Sequence, residues 1–194
     1  MKKVLLLCTV LMVSVMTTAC INNLAIQELN NKAESYLDKG DSETAICRLK
    51  SSLDLDNEIY QTHYNLAVAY NNIGNFDGAI EEANRVLELK PEFYDAYYIL
   101  ALAKEALAYN TLGDLSDGTM PPIEVIMDFN SKAQDTIDTY NKYLENVPNA
   151  VETEKINAKI AELNQKIKEY TDYYDRNASG QKVEDTSSQN EEAQ

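Results

Sequence analysis

Glycine and proline are scarce, 6 and 4 in a chain of 194 residues. So few backbone breakers exclude a collagen-like or linker-like chain and argue against a sheet-rich protein dense in turns. Histidine occurs once, as His63, and tryptophan not at all. Of the three cysteines (Cys8, Cys20, Cys47), a cleaved leader would remove Cys8 and acylation would occupy Cys20, and one histidine with one remaining thiol is too few for a His/Cys metal cluster or a disulfide-built fold. Positive charge is also short: 17 Lys and Arg stand against 32 Asp and Glu, a formal charge of −15. Phosphate binding needs clustered cations to release counterions, so nothing here points to a nucleic-acid partner. Partners selected by charge would be basic or neutral. The N-terminal apolar run, Val4 to Met16, stops at 13 residues, where a spanning helix needs roughly 20.

What is present begins with that N-terminus. Lys2 and Lys3 precede the apolar run, and Thr17-Thr18-Ala19-Cys20 follow it. The order resembles a bacterial lipoprotein signal, in which the leader is cleaved just before a cysteine that becomes acylated. The resemblance implies a signal peptide over 1–19, lipidation at Cys20 and a short anchored segment over 20–25. Thr17 departs from it, since Leu is usual three places before the cysteine. An ordinary secretory leader cut after Ala19 is the alternative, and either exports the chain. Cys8 would leave with the leader, and acylation of Cys20 would leave Cys47 as the one free thiol, read as a partly buried small hydrophobe. In a two-membrane cell Ile21, in place of Asp, resembles outer-membrane sorting. The implied location is a bacterial cell envelope, with the membrane reached through the N-terminal lipid.

A repeat follows. Tyr36 and Tyr70, Gly40 and Gly74, Ala45 and Ala79, Ile46 and Ile80, Leu53 and Leu87, and Leu55 and Leu89 all stand 34 residues apart. Each unit reads as two helices: an apolar series at helical intervals, a break at glycine, and a second series closed by Asp56-Asn57 or by Pro91. The glycines fall where the chain must reverse, a place suited to positive φ. In residues 60–93 His63, Leu66-Ala67, Tyr70, Ala79, Ala83 and Pro91 fall in the slots of the tetratricopeptide repeat, which this stretch resembles. Residues 26–59 match more loosely through Leu29, Lys32-Ala33, Tyr36, Ala45, Leu49 and Asn57. A third unit, 94–148, starts with Tyr97 and Leu100-Ala101, has Lys104 where Tyr is expected, and ends with Thr136, Tyr140 and Pro148. Ala33, Ala67 and Ala101 are small where paired helices must approach. The fold implied is all-α: a right-handed helical solenoid of about three helix-turn-helix units.

Pro91 and Pro148 are 57 residues apart, so the third unit carries an insertion. Helix is predicted to about Leu112, then a break, then a helix opened by Pro121-Pro122 with Ile123, Ile126, Asn130, Ala133, Ile137, Tyr140 and Leu144 facing back. This is an elongated hairpin with its tip near 113–121. Val125 and Phe129 lie off the centre of the packing stripe and Met120 in the break, as an apolar knob for a partner or the lipid surface, or as cover for the hairpin's own core. Asp117-Gly118 and Glu124 match part of a calcium loop, but Gly113 and Leu115 stand where ligands belong. Ile156, Ile160, Leu163, Ile167, Tyr170 and Tyr174 mark a capping helix over 149–175, with a short coiled coil as its rival. Residues 176–194 are polar and acidic, and composition predicts a disordered tail.

Catalysis has little footing. His63 stands in a slot where the repeat often has Trp, which favours packing; no phosphate loop, catalytic residue, metal, cofactor or small-molecule substrate is indicated. Binding remains. The family resemblance implies that first helices line a concave groove: Gln27, Asn30, Glu34 and Asp38, then Gln61, Tyr64, Val68, Asn71 and Asn72, then Asp95, Tyr98, Leu102 and Glu105. The family's best-known groove clamps a terminal carboxylate with Lys and Asn, but neutral or acidic residues hold the Lys positions here. Tyrosines offer contact area and amides pair with backbone, so the groove suits a protein or peptide segment bearing Lys or Arg. The expected function is a non-enzymatic scaffold or adaptor in envelope assembly, secretion or cell-wall work. The alternative is a structural subunit or pilotin-like assembly factor bound through the hairpin tip.

Overall fold

The computed structural model describes residues 21–113 and 120–191, with side chains to residue 176. The leader, Cys20 and most of the expected hairpin tip lie outside the described residues. Among the described residues seven helices follow in order: α1 (21–37), α2 (Ser42–Leu53), α3 (Tyr60–Asn72), α4 (Phe76–Leu89), α5 (Asp95–Leu112), α6 (Ile123–Asn146) and α7 (Thr153–Glu191). No strand occurs among the described residues. The fold is all-α and of the helical-solenoid class. By contacts the chain divides into two units, one through Ile99 and one from Leu100, so the expected third repeat is cut within α5.

In unit 1 the two corners are copies of each other. Gly40 and Gly74 take φ of 77° and 75°, the left-handed region that glycine enters without steric cost. The N–H of Asp41 donates to Tyr36 O at 2.9 Å, and that of Asn75 to Tyr70 O at 2.9 Å. This bond across a glycine is the Schellman closure, which satisfies a carbonyl the helix end leaves open. The same two residues then cap the next helices: Asp41 Oδ1 accepts from Thr44 N, and Asn75 Oδ1 from Gly78 N. One residue thus ends one helix and starts another, 34 positions apart each time.

The core of unit 1 joins Ala33 of α1 to Ala45, Ile46 and Leu49 of α2 and to Leu66 and Ala69 of α3, with Tyr36 and Tyr70 packed against it. Ala67, Ala79 and Ala83 are also wholly buried. Alanine at these points lets α3 lie close against α2 and α4, which it packs between. Pro91 and Pro148 each stand two residues beyond a helix end, Leu89 and Asn146, where they cannot continue the helix.

Unit 2 is built on longer elements. α5 has 18 residues and α6 has 24, against 12 to 14 for α2–α4. Its core gathers Ala108, Leu112, Ile126, Phe129, Ala133, Ile137, Leu163 and Tyr170. Leu100 and Ala101 are buried as the repeat pattern requires. Lys104, at the expected Tyr position, reaches Asp135 at 2.8 Å and Thr139 Oγ1 at 3.1 Å on α6. The stripe of α7 packs as expected, with Ile156, Leu163 and Tyr170 buried and Ile160, Ile167 and Tyr174 half-buried against the core. Where composition predicts a tail from 176, the α7 backbone instead continues to Glu191; that stretch has no proline and one glycine, Gly180, so little interrupts it.

Of the two readings of the hairpin residues the structure shows the cover, and the expected stripe of α6 is corrected. Phe129 is 0 % exposed, edge-on to Tyr170 with ring centroids 5.7 Å apart, and Met120 and Val125 pack against the same core. They cover the hairpin's interior and form no outward knob. The buried arc of α6 is also turned: Phe129 and Tyr143 are inside, whereas Ile123 is exposed. The reason is that α6 meets α5 residues and α7, so its apolar arc is set by two neighbours. Phe129→Asp should therefore destabilise unit 2 by about 4 kcal/mol or more, by leaving an unpaired carboxylate in the core. Met127→Asp, at a position 65 % exposed, should change stability by no more than about 0.5 kcal/mol. Urea unfolding followed by circular dichroism checks both.

Candidate protein-binding surface

Unit 1 carries most of the expected groove residues. Glu34 is exposed on α1, Asp38 in the turn after it, Gln61 and Asn72 on α3, and Asp95 at the start of α5; Tyr64, Val68, Asn71 and Tyr98 are half-buried. A cleft of about 320 Å³ opens between α1 and the start of α3, lined by Ile26, Gln27, Asn30, Glu34, Ile59 and Gln61, with Asn23 and Asn31 at its margin. It brings together Gln27, Asn30, Glu34 and Gln61. Asp38, Tyr64, Val68, Asn71, Asn72, Asp95 and Tyr98 do not line it, and Leu102 falls in unit 2.

Behind the cleft runs a buried polar ladder. Asn30, Ser52, Thr62 and Asn65 are all buried. The Asn30 amide donates toward Ile26 O at 3.0 Å, Ser52 Oγ at 3.1 Å and Thr62 Oγ1 at 2.9 Å. Asn65 Nδ2 donates to Glu34 Oε1 at 3.2 Å, with Asn30 Oδ1 at 3.5 Å. Buried polar groups cost free energy unless paired, so these residues fix α1, α2 and α3 in one register. The ladder ends at the cleft mouth on Glu34. Asn30, expected as a groove contact, instead spends its amide on the ladder. Further along, Asn71 Oδ1 is shielded from solvent with no hydrogen-bond partner among the described residues.

At the other end of α3 entry, aromatic rings close the corner. Tyr60 and Tyr64 each stand 5.1 Å from Phe93 by ring centroids, and Lys90 Nζ lies 4.2 Å from the Tyr60 ring centre and 3.0 Å from its hydroxyl. A cation over a tyrosine face is attracted by the ring quadrupole. This pins the α4–α5 turn against α3.

His63 packs, as its slot implies, but with a polar role that the slot does not announce. Its Nδ1 meets Glu82 Oε2 at 2.6 Å and its Nε2 meets Asn57 O at 2.9 Å. Both partners accept only, so the ring is best satisfied as an imidazolium donating from both nitrogens. Burial pulls the imidazole down and Arg85 does so slightly, but the Glu82 carboxylate and the Asn57 carbonyl outweigh them and raise its pKa.

Glu105 is corrected from groove to core. It is buried in unit 2, where Lys159 Nζ of α7 donates to both its oxygens at 2.6 and 2.7 Å and the Tyr140 hydroxyl of α6 donates to Oε2. It holds three helices together and is not free for a partner. Cys47, expected as a small hydrophobe, is exposed on α2; its neighbours Ala45, Ile46 and Leu49 take the inward positions. Among the described residues no group of three or more His, Cys, Asp or Glu could hold a metal ion, and no helix is long and apolar enough to cross a membrane.

Glycine corners, buried alanines and the 34-residue period meet in one stretch. Residues 30–92 match the tetratricopeptide repeat family. Solved tetratricopeptide domains have the same fold. The first such domain of Spaghetti (RPAP3), bound to an HSP90 peptide, aligns with a TM-score of 0.57 at 20% identity, over 73% of this chain and 92% of that one. The first domain of human RPAP3 gives 0.57 at 20%, over 76% and 95%. The TPR2B domain of yeast Sti1, in its Hsp70 complex, gives 0.56 at 18%, over 73% and 98%. A comparison with curated proteins finds no match.

The tetratricopeptide stretch contains the His63 contact, which makes a pH test of that stretch possible. A raised folded pKa means that the His63 contribution is fully present below about pH 6.5, the unfolded value, and is lost as pH rises through the higher folded value. The melting temperature should fall between pH 6 and pH 9, and His63→Gln should flatten that fall. Thermal unfolding of both proteins across the range measures it; parallel curves would contradict the assignment.

Proposed function

We propose that this protein is a non-enzymatic adaptor or scaffold of a bacterial cell envelope, exported by its leader and lipid-anchored at Cys20. It binds a protein segment along the first-helix face of unit 1. The observation that carries the reading is the α1–α3 cleft, where Glu34 is held at the mouth by a buried ladder and is the one charged residue among the described lining. Peptide-bound tetratricopeptide domains of the same fold support it. The preferred segment is basic: the chain is strongly acidic, and Glu34, Asp38 and Asp95 are exposed on this unit. The hairpin-tip reading is not retained, because Phe129 is a core residue.

The leader reading rests on Lys2, Lys3, the apolar run and Ala19-Cys20. One acyl chain anchors marginally and several anchor stably, so a triacylated Cys20 would hold the protein at the membrane surface. Affinity capture from native envelope extracts, using the lipidated protein, tests the function. The partner should be lost as salt rises, and Glu34→Lys or Asp95→Lys should weaken capture by about tenfold. Capture indifferent to salt and to both reversals would contradict a basic segment. Mass spectrometry of the mature N-terminus should show an acylated Cys20.

A further inference from the structure

We infer that the α1–α3 cleft is a pocket for one lysine or arginine side chain of the bound segment, with Glu34 as the counter-charge. The inference rests on the groove reading above and assigns its anchor. Four observations converge. First, the cleft volume, about 320 Å³, is of side-chain size and far too small for a folded domain.

Second, its wall holds both apolar and polar groups, as a long cationic side chain needs. Ile26 and Ile59 can cover a methylene stem, while Gln27, Gln61 and Glu34 meet a polar head. Lysine and arginine bury their stems against apolar surface in this manner while keeping the head solvated or paired.

Third, the carboxylate is prearranged, and among the described residues no cation is paired with it. Asn65 Nδ2, itself buried, holds Glu34 Oε1 at 3.2 Å. The one lysine of α1, Lys32, is engaged by Glu28 at 2.6 Å. An ammonium or guanidinium reaching Glu34 would gain a charge-assisted bond without first displacing a cation of the chain. Arginine, with its planar fork, could also use the Gln27 and Gln61 carbonyls.

Fourth, α3 begins at Tyr60; its N-cap residue, Ile59, lines the same cleft, and no side chain caps the helix. Helix starts leave N–H groups without intrahelical partners. That of Thr62 already donates to Ile59 O at 3.0 Å; those of Tyr60 and Gln61 are left to meet a carbonyl of the bound segment's main chain, so the cleft can offer donors to backbone and an acceptor to a cation. A basic side chain attached to a peptide carries both.

The test is a titration of the ¹⁵N-labelled full-length protein in detergent micelles with Ala-Lys-Ala blocked at both ends. A parallel titration uses the same peptide with norleucine, which keeps most of the stem and lacks the ammonium. The lysine peptide should shift the side-chain amide signals of Gln27 and Gln61 saturably, and the norleucine peptide should bind about tenfold more weakly. Glu34→Gln keeps an oxygen for Asn65 and so preserves the ladder, which an unchanged melting temperature verifies. It should lower the lysine affinity to the norleucine level. Equal binding of the two peptides, or an affinity unmoved by Glu34→Gln, overturns the cation pocket while leaving the groove in place. Silent Gln27 and Gln61 signals, with partner capture from extracts still intact, also overturn the pocket and move binding elsewhere on the unit. Loss of both signals ends both readings.

Discussion

Helices that meet through alanine lie closer than helices that meet through leucine, and unit 1 depends on that approach. Ala33, Ala45, Ala67, Ala69, Ala79 and Ala83 are all inaccessible to solvent. Each removes side-chain bulk where two cylinders touch, so larger residues such as Leu49, Leu66 and Val86 fill the spaces beside the contact. The corners at Gly40 and Gly74 then return the chain at one repeated angle. A single helix pair of this kind leaves a face uncovered, which the next pair covers.

Against this apolar frame the buried polar groups stand out. Asn30, Ser52, Thr62 and Asn65 bond to one another, and His63 bonds to Glu82 and Asn57. In unit 2, Glu105 is shared by Lys159 and Tyr140. Such groups add little net stability, since desolvation offsets most of their attraction, but any shift of a helix leaves them unpaired. Alanine contacts alone would permit sliding. The ladder forbids it, and in doing so it fixes where Glu34 stands. Packing and the binding surface are therefore coupled through one set of side chains.

The repeat was legible because its cause is local. Positive φ demands glycine, close approach demands alanine, and both recur at one spacing wherever the same corner is built. Capping by Asp41 and Asn75 was equally local, and its signal, an Asp or Asn just after each glycine, was there to be used. Glu105 was not legible. Its place in the repeat puts it on a groove, but its partner Lys159 arrives 54 residues later on α7, and no period relates the two. Phe129 was ambiguous for a similar reason: α6 is packed from two sides, so a single stripe cannot describe its buried arc. Cys47 was misplaced because residue type was weighed above helical phase, which points it outward beside Ile46. Of the expected groove, Gln27, Glu34 and Gln61 meet around one cleft, as the alternation of first helices implies; which residue would carry the ladder needed coordinates.

The direct measure of this account is the effect of bulk at an alanine contact. Ala67→Leu places three extra carbon atoms at a position with no accessible surface, and overpacking of that kind costs about 1–3 kcal/mol. Ala161→Leu makes the same change on the exposed side of α7. Urea midpoints of the two variants should differ accordingly, with Ala67→Leu clearly destabilised and Ala161→Leu close to the parent protein. Equal midpoints would show that α3 has room to spare and that close approach does not set the fold.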